Sequence, residues 1–391
     1  MKVKKEEGKK MLIKNAKIYT MEEAGFIEGD ILIQKGKIVK VGKVEESDNE
    51  VIDASGKFVF PGMVEAHCHL GMEESAIGFE GDDVNETTDP ITPHMRAIDG
   101  CNPMDETIVN ACKAGVTSVA AGPGSANVIG GTFVAYKTHG ICMDEMKIKE
   151  AIAMKAAFGE NPKRVYREKG KIRTRMNIAA LLRETLMKTT EYMMKKEAAK
   201  GDIMRMPAYD MKLEAMIPVL KKELPLKCHA HRADDILTVI RIAKEFDIKV
   251  TLDHCTDGEI IKKQMKESGF PAIVGPSFGH KTKFELANKS FKTPAILHEE
   301  GILIAITTDS PVIPEEYLPL CAALAMKNGL DEMEALKAIT INPAKILGLD
   351  DRIGSIKAGK DADIIICDRS LLDTMNHIEY TIINGEIVYQ G

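Results

Sequence analysis

The sequence has no tryptophan, and Phe, Trp and Tyr together make up only 5% of its 391 residues. Methionine is plentiful instead, with 22 residues, and we interpret it as core filling, because its flexible side chain adapts to irregular gaps. The eight cysteines are scattered and form no C-x-x-C pair. In a chain of this size we expect reduced, mostly buried thiols in a cytoplasm, which excludes a fold held together by disulfides.

Long apolar runs and a strong charge imbalance are missing too. No segment has the roughly 20 apolar residues of a membrane-spanning helix, and the charged first ten residues lack the apolar segment of a signal peptide. The net charge of −6 and the pI near 6.0 argue against nucleic acid or an anionic membrane as the main partner. We therefore expect a cytoplasmic protein with a small-molecule partner, and a homo-oligomer is compatible with this composition.

The composition is ordinary for a soluble globular protein, and the length suits a large barrel with an appendage. Short strands with alternating apolar residues occupy both ends of the chain, and neither set is large enough to bury a core alone. We predict that they pair into one β-sandwich. The predicted domains are residues 1–56 and 346–391 for the sandwich and residues 57–345 for the catalytic body.

The middle of the chain alternates short buried runs with helical patterns, as α/β folds do. Eight runs qualify as strands, the number in a (β/α)8 TIM-type barrel: Phe58–His69, Gly115–Ala121, Phe133–Thr138, Ile152–Phe158, Leu226–His231, Lys249–His254, Ala272–Pro276 and Leu303–Asp309. The clearest helices are Ala233–Phe246, Asp257–Ser268, Glu315–Lys327 and Asp331–Ile341, and two extra ones, Met176–Lys200 and Tyr209–Lys222, are expected before strand five.

Histidines and carboxylates stand where four of these strands end. His67 and His69 are two apart on one strand, so both imidazoles face the same side. Strand five ends in His229 and His231, strand six in Asp253-His254, and strand eight in Asp309. Because a barrel gathers the carboxyl ends of its strands at one face, this pattern predicts a site for Zn²⁺ or Fe²⁺. Separately, His254 could be a satisfied core histidine and Asp309 a helix cap.

The chain resembles the amidohydrolase superfamily of metal-dependent hydrolases over nearly its whole length. Most similar is the imidazolonepropionase-like branch, and within it a subgroup that carries Gly159-Glu160-Asn161-Pro162-Lys163 after strand four. The residues that carry the resemblance are Pro61–His69, Gly115–Val119, the histidines of strands five and six, Asp309, Ile339–Gly348 and Gly354–Asp363.

The resemblance implies one or two metal ions, with zinc expected and iron or manganese as alternatives. It implies the ligands His67, His69, His229, His254 and Asp309, and it makes His231 a substrate contact. A carboxylated lysine or a glutamate bridges two metals in binuclear members; the candidates are Lys155, Glu160 and Lys137. Otherwise the two lysines would be solvated side chains, and Glu160 would order its turn.

Metal-activated water would then hydrolyse a C–N bond, with Asp309 as general acid and base and with His231 or His254 polarising the electrophile. The expected substrate is a cyclic amide, an N-acyl amino acid or a dipeptide-like compound. A deaminase of a heterocycle is the alternative, but the glutamate that such enzymes carry after the strand-five histidine is missing in His229–Asp234. An inactive barrel that serves as a binding or assembly scaffold is the alternative outside the enzymes.

Residues near the predicted site bear on the substrate. The irregular, acidic segment Gly71–Asp99 is either a lid over the site or a surface excursion. A lid of this charge would favour a cationic substrate, whereas Arg232, Lys281 and Lys283 could bind a substrate carboxylate. The turn Gly122–Ser125 has neither a nucleophile elbow nor a phosphate loop, and we expect it to line the pocket.

Overall fold

The computed structural model describes residues 10–45, 50–75 and 77–391. Most of the charged N-terminal segment, for which no signal peptide is expected, lies outside these residues. The strands in the described residues are β1 (Lys10–Tyr19), β2 (Phe26–Gln34), β3 (Lys37–Gly42), β4 (Glu50–Asp53), β5 (Phe58–Pro61), β6 (Met63–Cys68), β7 (Val116–Ala121), β8 (Ile129–Lys137), β9 (Lys147–Ala157), β10 (Leu226–Ala230), β11 (Val250–His254), β12 (Ala272–Val274), β13 (Ile304–Ile306), β14 (Ile364–Cys367), β15 (Ile378–Ile383) and β16 (Glu386–Gln390).

The α-helices follow the same convention. They are α1 (Ala97–Gly100), α2 (Glu106–Lys113), α3 (Met143–Met146), α4 (Glu160–Arg167), α5 (Arg175–Ala199), α6 (Met211–Leu220), α7 (Ala233–Phe246), α8 (Lys262–Ser268), α9 (Thr293–Glu299), α10 (Leu318–Lys327), α11 (Glu332–Lys337) and α12 (Ile341–Leu347). The predicted extra helices before strand five are confirmed as α5 and α6, whose first turns are capped by the side chains of Thr174 and Asp210. Within the described residues, no helix is both long and apolar enough to cross a bilayer.

Both ends of the chain build one β domain, as predicted. Within the described residues its strands run in the order β16-β15-β14-β5-β1-β2-β3, and β4 also pairs with β1. Isoleucines from the two ends, such as Ile13, Ile31, Ile364 and Ile382, are buried in one hydrophobic cluster. Neither end alone supplies enough apolar surface for a core, so the pairing is what makes the domain stable.

The predicted first barrel strand, Phe58–His69, is in fact two strands. Phe58–Pro61 pairs with β1 and β14 in the terminal domain, whereas Met63–Cys68 pairs with β7 in the barrel. Gly62 lies at the change of sheet, where a Cβ atom would meet the Thr117 side chain at 2.0 Å. Because the apolar run is continuous in the sequence, it did not reveal that the chain passes from one sheet to the other. The predicted domain bounds stay predictions.

The second sheet is the barrel, with the strand order β13-β12-β11-β10-β9-β8-β7-β6 in the described residues. The ends of the first and last strands meet, because the backbone N–H of His69 donates to the Ser310 carbonyl at 2.7 Å and the Thr307 hydroxyl donates to the His67 carbonyl at 2.7 Å. One strand departs from a uniform (β/α)8 pattern. β8 runs antiparallel to both β7 and β9.

Helix α7 packs on the outside of the barrel through a regular pattern of apolar residues. Its buried residues include Ile236, Val239 and Ile240, spaced three and four apart, and they pack in the same cluster as Leu226 and Leu252 of the strands below.

All eight cysteines lie in the described residues and are free thiols, and seven of them are buried, as predicted.

Candidate metal centre

The structure brings the predicted site histidines and Asp309 together at one end of the barrel. His67 is on β6, His229 on β10 and His254 on β11. His69 and His231 directly follow strands, and Asp309 lies three residues after the end of β13. All of the histidines are buried. Their ligand atoms fall into two groups, and within each group the atoms lie within 4.8 Å of one another.

The first cluster consists of His67, His69 and Asp309. The Asp309 Oδ1 atom lies 3.2 Å from His69 Nε2 and 3.5 Å from His67 Nε2. The outer nitrogen of each ring is held in place, since His69 Nδ1 lies 2.7 Å from the Gly122 carbonyl and His67 Nδ1 lies 2.6 Å from Asp253 Oδ2. Both Nε2 atoms therefore point at Asp309.

The second cluster consists of His229, His231 and His254. The His231 and His254 rings are stacked with centroids 4.7 Å apart, and the His229 ring meets His254 edge-on at 4.5 Å. His254 Nδ1 lies 2.7 Å from the Gly275 carbonyl, which fixes its proton on that atom and leaves a lone pair on Nε2. The sequence implied a ligand role for only two of these three histidines.

The protonation states suit cation binding. Burial lowers the pKa of His67, His229 and His231 well below the usual value near 6.5, so these rings are neutral. Burial alone would raise the pKa of Asp309, but His254 and His69 outweigh it and hold that pKa below its usual range. Neutral imidazoles and an ionised carboxylate are the forms that bind a metal ion.

Two buried polar atoms without hydrogen-bond partners indicate that a cation would fit this site. Within the described residues, His254 Nε2 and Asp309 Oδ1 are buried and have no hydrogen-bond partner. Both residues also hold positive φ angles, 74° and 54°, which are unusual for residues other than glycine and are common at functional sites. Two buried acceptor atoms without a hydrogen-bond donor call for a compensating positive group, so the imidazole and carboxylate ligands fit a divalent transition metal.

Lys155 lies beside the first cluster. It is fully buried on β9, and its Nζ atom is 3.1 Å from His67 Nε2. Burial lowers its pKa to about 8 despite the nearby carboxylates of Asp253 and Asp309. The alternative of a solvated lysine at this position is wrong, because Lys155 lies on a barrel strand, β9, and its side chain points at the first cluster.

Lys137 is also buried, but it lies at the opposite end of the barrel. Its Nζ atom is 3.3 Å from Asp361 Oδ2 and also pairs with Asp363, both in the terminal domain. The antiparallel course of β8 carries the C-terminal end of this strand away from the site. Glu160 begins α4, near the site, and its backbone N–H donates to Glu285 at 3.0 Å.

Sequence reasoning missed several buried charged residues around the site. Lys227 pairs with Lys155 in the register of β9 and β10, and its Nζ atom lies 3.1 Å from Asp253 Oδ2. Glu65 accepts hydrogen bonds from the backbone N–H groups of His67 and Thr308, both at 2.9 Å. Glu65 stands two residues before His67 on β6, so the period of a strand could have revealed it.

A second carboxyl group lies next to Glu65. The Thr308 hydroxyl is 3.1 Å from Glu65 Oε2 and 3.0 Å from Glu315 Oε2. Burial raises the pKa of Glu65 to about 7, and burial together with the nearby Glu65 carboxylate raises the pKa of Glu315 well above its usual range. The local sequence around Glu315 gave no signal, because only the fold brings it to β6.

A cavity of about 430 Å³ opens onto both clusters. Its walls include His69, His231 and Asp309, and also Gly124 and Ser125, which confirms that the Gly122–Ser125 turn lines the pocket. Three residues of the acidic segment Gly71–Asp99 complete one wall: Glu73, Val84 and Asn85. That this segment acts as a lid stays a prediction.

The three basic side chains predicted as candidates to bind a substrate carboxylate, Arg232, Lys281 and Lys283, differ in position. Lys283 lines the cavity, and its ammonium donates to Asn161 Oδ1 at 2.8 Å. Lys281 is not among the residues of the cavity wall, and its ammonium donates to the Ala287 carbonyl. Arg232 forms a two-pronged pair with Asp234, at 2.9 and 3.0 Å, and is not among the residues of the cavity wall.

Comparisons with known proteins place the fold in a wider group. An amidohydrolase of Thermotoga maritima MSB8, known from its crystal structure, is 44% identical, covers 97% of this chain and 100% of its own, and superposes with a TM-score of 0.95. The 5′-deoxyadenosine deaminase of Methanosarcina mazei is 28% identical over 97% of this chain and 93% of its own length.

A curated relative from Hapsidospora irregularis, amidohydrolase tasK, is 29% identical over 92% of this chain. The matched part is 41% of that protein, so this chain spans about two fifths of its length. The names of these relatives confirm, at the level of the family, the prediction of a hydrolase. Because the model of the amidohydrolase family matches residues 58–388, the chain belongs to that family.

Proposed function

We propose that the protein hydrolyses a C–N bond of the amide type in a small molecule, with a divalent metal ion bound at the first cluster. The observation that carries the proposal is the Asp309 Oδ1 atom, which is buried without a hydrogen-bond donor and faces the Nε2 atoms of His67 and His69. A general acid and base beside metal ligands is the arrangement that hydrolysis by activated water requires.

The proposed ligands are His67, His69, His229, His254 and Asp309. Imidazole nitrogen and carboxylate oxygen suit zinc, and iron or manganese accept the same donors. A bound ion of this kind would lower the pKa of a water molecule to about 7. The protein supplies the orientation, because the Nδ1 atoms of His69 and His254 are tied to the carbonyls of Gly122 and Gly275.

Asp309 is the proton carrier in this proposal. Its carboxylate accepts a proton from the attacking water and later delivers it to the leaving nitrogen, so that the amine departs as a neutral group. Its low pKa, set by the neighbouring histidines, means that it starts the cycle ionised. His254 holds its proton on Nδ1, so we propose it as a ligand, and the polarising role of His231 stays a prediction.

Lys155 is the better of the candidate bridging residues for a second ion. Its Nζ atom lies 3.1 Å from a proposed ligand atom of His67, whereas Lys137 is bound to the terminal domain at the opposite end of the barrel. An ammonium group at this place would repel a cation, but a carboxylated lysine would be a ligand. We therefore favour carboxylated Lys155 over Glu160.

The pocket supports substrates that carry a carboxylate. Lys283, Lys289 and His280 line the same cavity as the metal centre. An N-acyl amino acid, a dipeptide-like compound or a cyclic amide with a free carboxylate would place its charge there. The contacts predicted for His231 and Arg232, and the place in the imidazolonepropionase-like branch, stay predictions.

A deaminase is the second candidate, favoured by the name of the Methanosarcina mazei relative. Against it stands the segment His229–Asp234, which lacks a glutamate after the strand-five histidine. A panel of N-acyl amino acids, dipeptides, cyclic amides and aminated heterocycles separates the two, because deamination releases ammonia from a ring and amide hydrolysis releases an acid.

The substitution Asp309→Asn tests the mechanism. We expect turnover of the best panel substrate to fall by about 10²- to 10⁴-fold, the usual contribution of a general acid or base. The variant should still bind the metal, measured by elemental analysis of the purified protein. Full activity of the variant contradicts the role of Asp309, and a wild-type protein that neither binds metal nor turns over any substrate after metal is added supports the scaffold alternative.

A further inference from the structure

A second cavity, of about 370 Å³, lies beside the cavity of the metal centre and shares a wall residue with it, Glu73. Its walls come from three parts of the chain: the segment after β6, the start of α2 and the loop after β13. This acidic cavity is lined by five carboxylates and by no lysine, arginine or histidine; the carboxylates belong to Glu73, Glu74, Glu106, Glu315 and Glu316.

The negative charge of the acidic cavity is not balanced by the protein. In the part of the chain that the structure describes, none of the five carboxylates forms an ion pair with a basic side chain. Glu74 accepts a hydrogen bond from the Asn102 amide at 2.8 Å, but that donor is neutral. A cleft whose walls carry charges of one sign attracts ligands of the opposite sign, so this cavity favours a cation.

Glu315 adds a buried atom that lacks a partner. The residue is only 1% exposed, and its Oε2 atom lies 3.0 Å from the Thr308 hydroxyl. Its Oε1 atom is buried and, within the described residues, has no hydrogen-bond partner. Protonation does not remove this need, because a proton on Oε1 would be a donor without an acceptor. A buried polar atom without a partner is costly, so this wall of the cavity calls for a ligand group.

Glu73 connects the acidic cavity to the metal centre. It lines both cavities, and Ser310, another wall residue of the acidic cavity, directly follows Asp309. Burial and the nearby Asp82 carboxylate raise the pKa of Glu73, which shows that its surroundings favour positive charge. A small molecule with its scissile bond at the metal centre can therefore extend a chain past Glu73 into the acidic cavity.

The arrangement of the carboxylates suits an organic cation better than a metal ion. A metal ion needs several ligand atoms around one point. Among the described residues, the groups of three such atoms within 4.8 Å of one another are the two histidine clusters, and the acidic cavity provides none. A guanidinium or ammonium group carries several N–H donors, which match carboxylates that are spread around a cavity.

We propose that the acidic cavity binds the cationic end of the substrate, a guanidinium or ammonium group on an extended chain. The inference rests on the proposed function and deepens it, because it names the substrate class: amides that carry a positive charge at a distance from the scissile bond. Lys283 and Lys289 line the cavity of the metal centre, so a substrate with a carboxylate as well as a cationic chain has a place for each charge.

Binding of n-butylguanidinium tests the site without turnover. The full chain is titrated by calorimetry with this cation and with n-butylurea, which has a similar shape and no charge. We expect the cation to bind at least about 10-fold more tightly, since a hydrogen bond to a charged group is worth more than one factor of ten.

Two variants locate the bound cation. Glu73→Gln and Glu316→Gln change side chains that are not buried, so both proteins should fold. Each should bind n-butylguanidinium about 10-fold more weakly than the wild type. Glu80→Gln is the matched control, because Glu80 is an exposed carboxylate of the same acidic segment that lines neither cavity, and it should bind as the wild type does.

Turnover tests whether the cation belongs to the substrate. The panel is extended with N-acetyl and aminoacyl derivatives of arginine and with the same derivatives of citrulline, which replaces the guanidinium by a neutral urea group. We expect the best substrate among the arginine compounds, with a kcat/KM at least about 10-fold above that of its citrulline counterpart. This ratio should fall in Glu73→Gln and Glu316→Gln and should persist in Glu80→Gln.

The outcomes separate this proposal from the proposed function. If the wild type binds n-butylguanidinium no better than n-butylurea, or if Glu73→Gln and Glu316→Gln bind it as tightly as the wild type, the cation site is overturned, while turnover of the panel still supports the proposed function. A best substrate without a cationic chain overturns the substrate role of the cavity. Tight binding of the cation without turnover of any panel compound overturns the proposed function, and the substrate role with it.

Discussion

Asp253 connects the first cluster to the middle of the barrel. Its fully buried carboxylate accepts from His67 Nδ1 at 2.6 Å and from the Thr251 hydroxyl at 2.7 Å, and it lies 3.1 Å from Lys227 Nζ. Burial would raise its pKa, but Lys227 and Lys155 outweigh that effect and keep it ionised. A charged acceptor behind a ligating histidine fixes the ring and makes it a stronger ligand.

We expect Asp253→Asn to weaken metal binding at the first cluster by about 10- to 100-fold, because the amide holds His67 without a negative charge and leaves Lys227 uncompensated. Affinity would be measured by competition with a metal indicator. Asp247→Asn, which changes an exposed partner of Lys222, is the control and should bind as the wild type. An unchanged metal affinity in Asp253→Asn would refute the role of Asp253 in orienting His67 as a metal ligand.

At the scale of elements, the outer layer of the barrel holds its strands in place through apolar contacts. Ile236 of α7 is fully buried in the same cluster as Leu226 and Leu252. The adjoining strands carry His229 and His254, so the packing of this helix supports the second cluster from behind.

Removing three methyl or methylene groups from this contact leaves a cavity. We expect Ile236→Ala to lower the free energy of unfolding by about 2 to 5 kcal/mol, measured by urea denaturation. Ile203→Ala makes the same chemical change at a residue that is 85% exposed, and it should shift stability by less than about 0.5 kcal/mol. Equal effects of the two variants would show that α7 does not carry the barrel wall.

At the scale of the whole molecule, an ion cluster centred on the buried side chains of Lys137, Asp361 and Asp363 joins the barrel to the terminal domain. Lys137 of β8 pairs with Asp361 and Asp363, and Asp361 also pairs with Lys37 and Arg352. The cluster thus links one barrel strand to both ends of the chain. It lies at the end of the barrel opposite to the metal centre.

We expect Lys137→Met to destabilise the protein by about 3 to 5 kcal/mol, because it leaves buried carboxylates without their central partner. Metal affinity of the folded variant should be unchanged, since the site is at the other end of the barrel. Urea denaturation and a metal titration give the two readouts, and Lys149→Met, at an exposed residue of β9, is the control. A loss of metal affinity without a loss of stability would contradict this placement.

Local pattern by itself determined much of this protein. The alternation of side chains along a strand put His67 and His69 on one face, and the spacing of apolar residues in α7 predicted that helix with the bounds observed. Strand ends rich in histidine predicted which residues meet, because a barrel collects the carboxyl ends of its parallel strands. These features depend on neighbours in sequence or on a regular architecture.

The tertiary structure alone decided the rest. Lys137 and Lys155 are both lysines on predicted strands, yet the direction of β8 sends one to the ion cluster and leaves the other beside His67. Glu285 reaches His229 and His231 across more than fifty residues of sequence, and Glu315 reaches Glu65 across a far longer span. The local spacing of residues in the sequence does not predict such contacts, because the strand direction and loop path that create them are set by the packing of the whole chain.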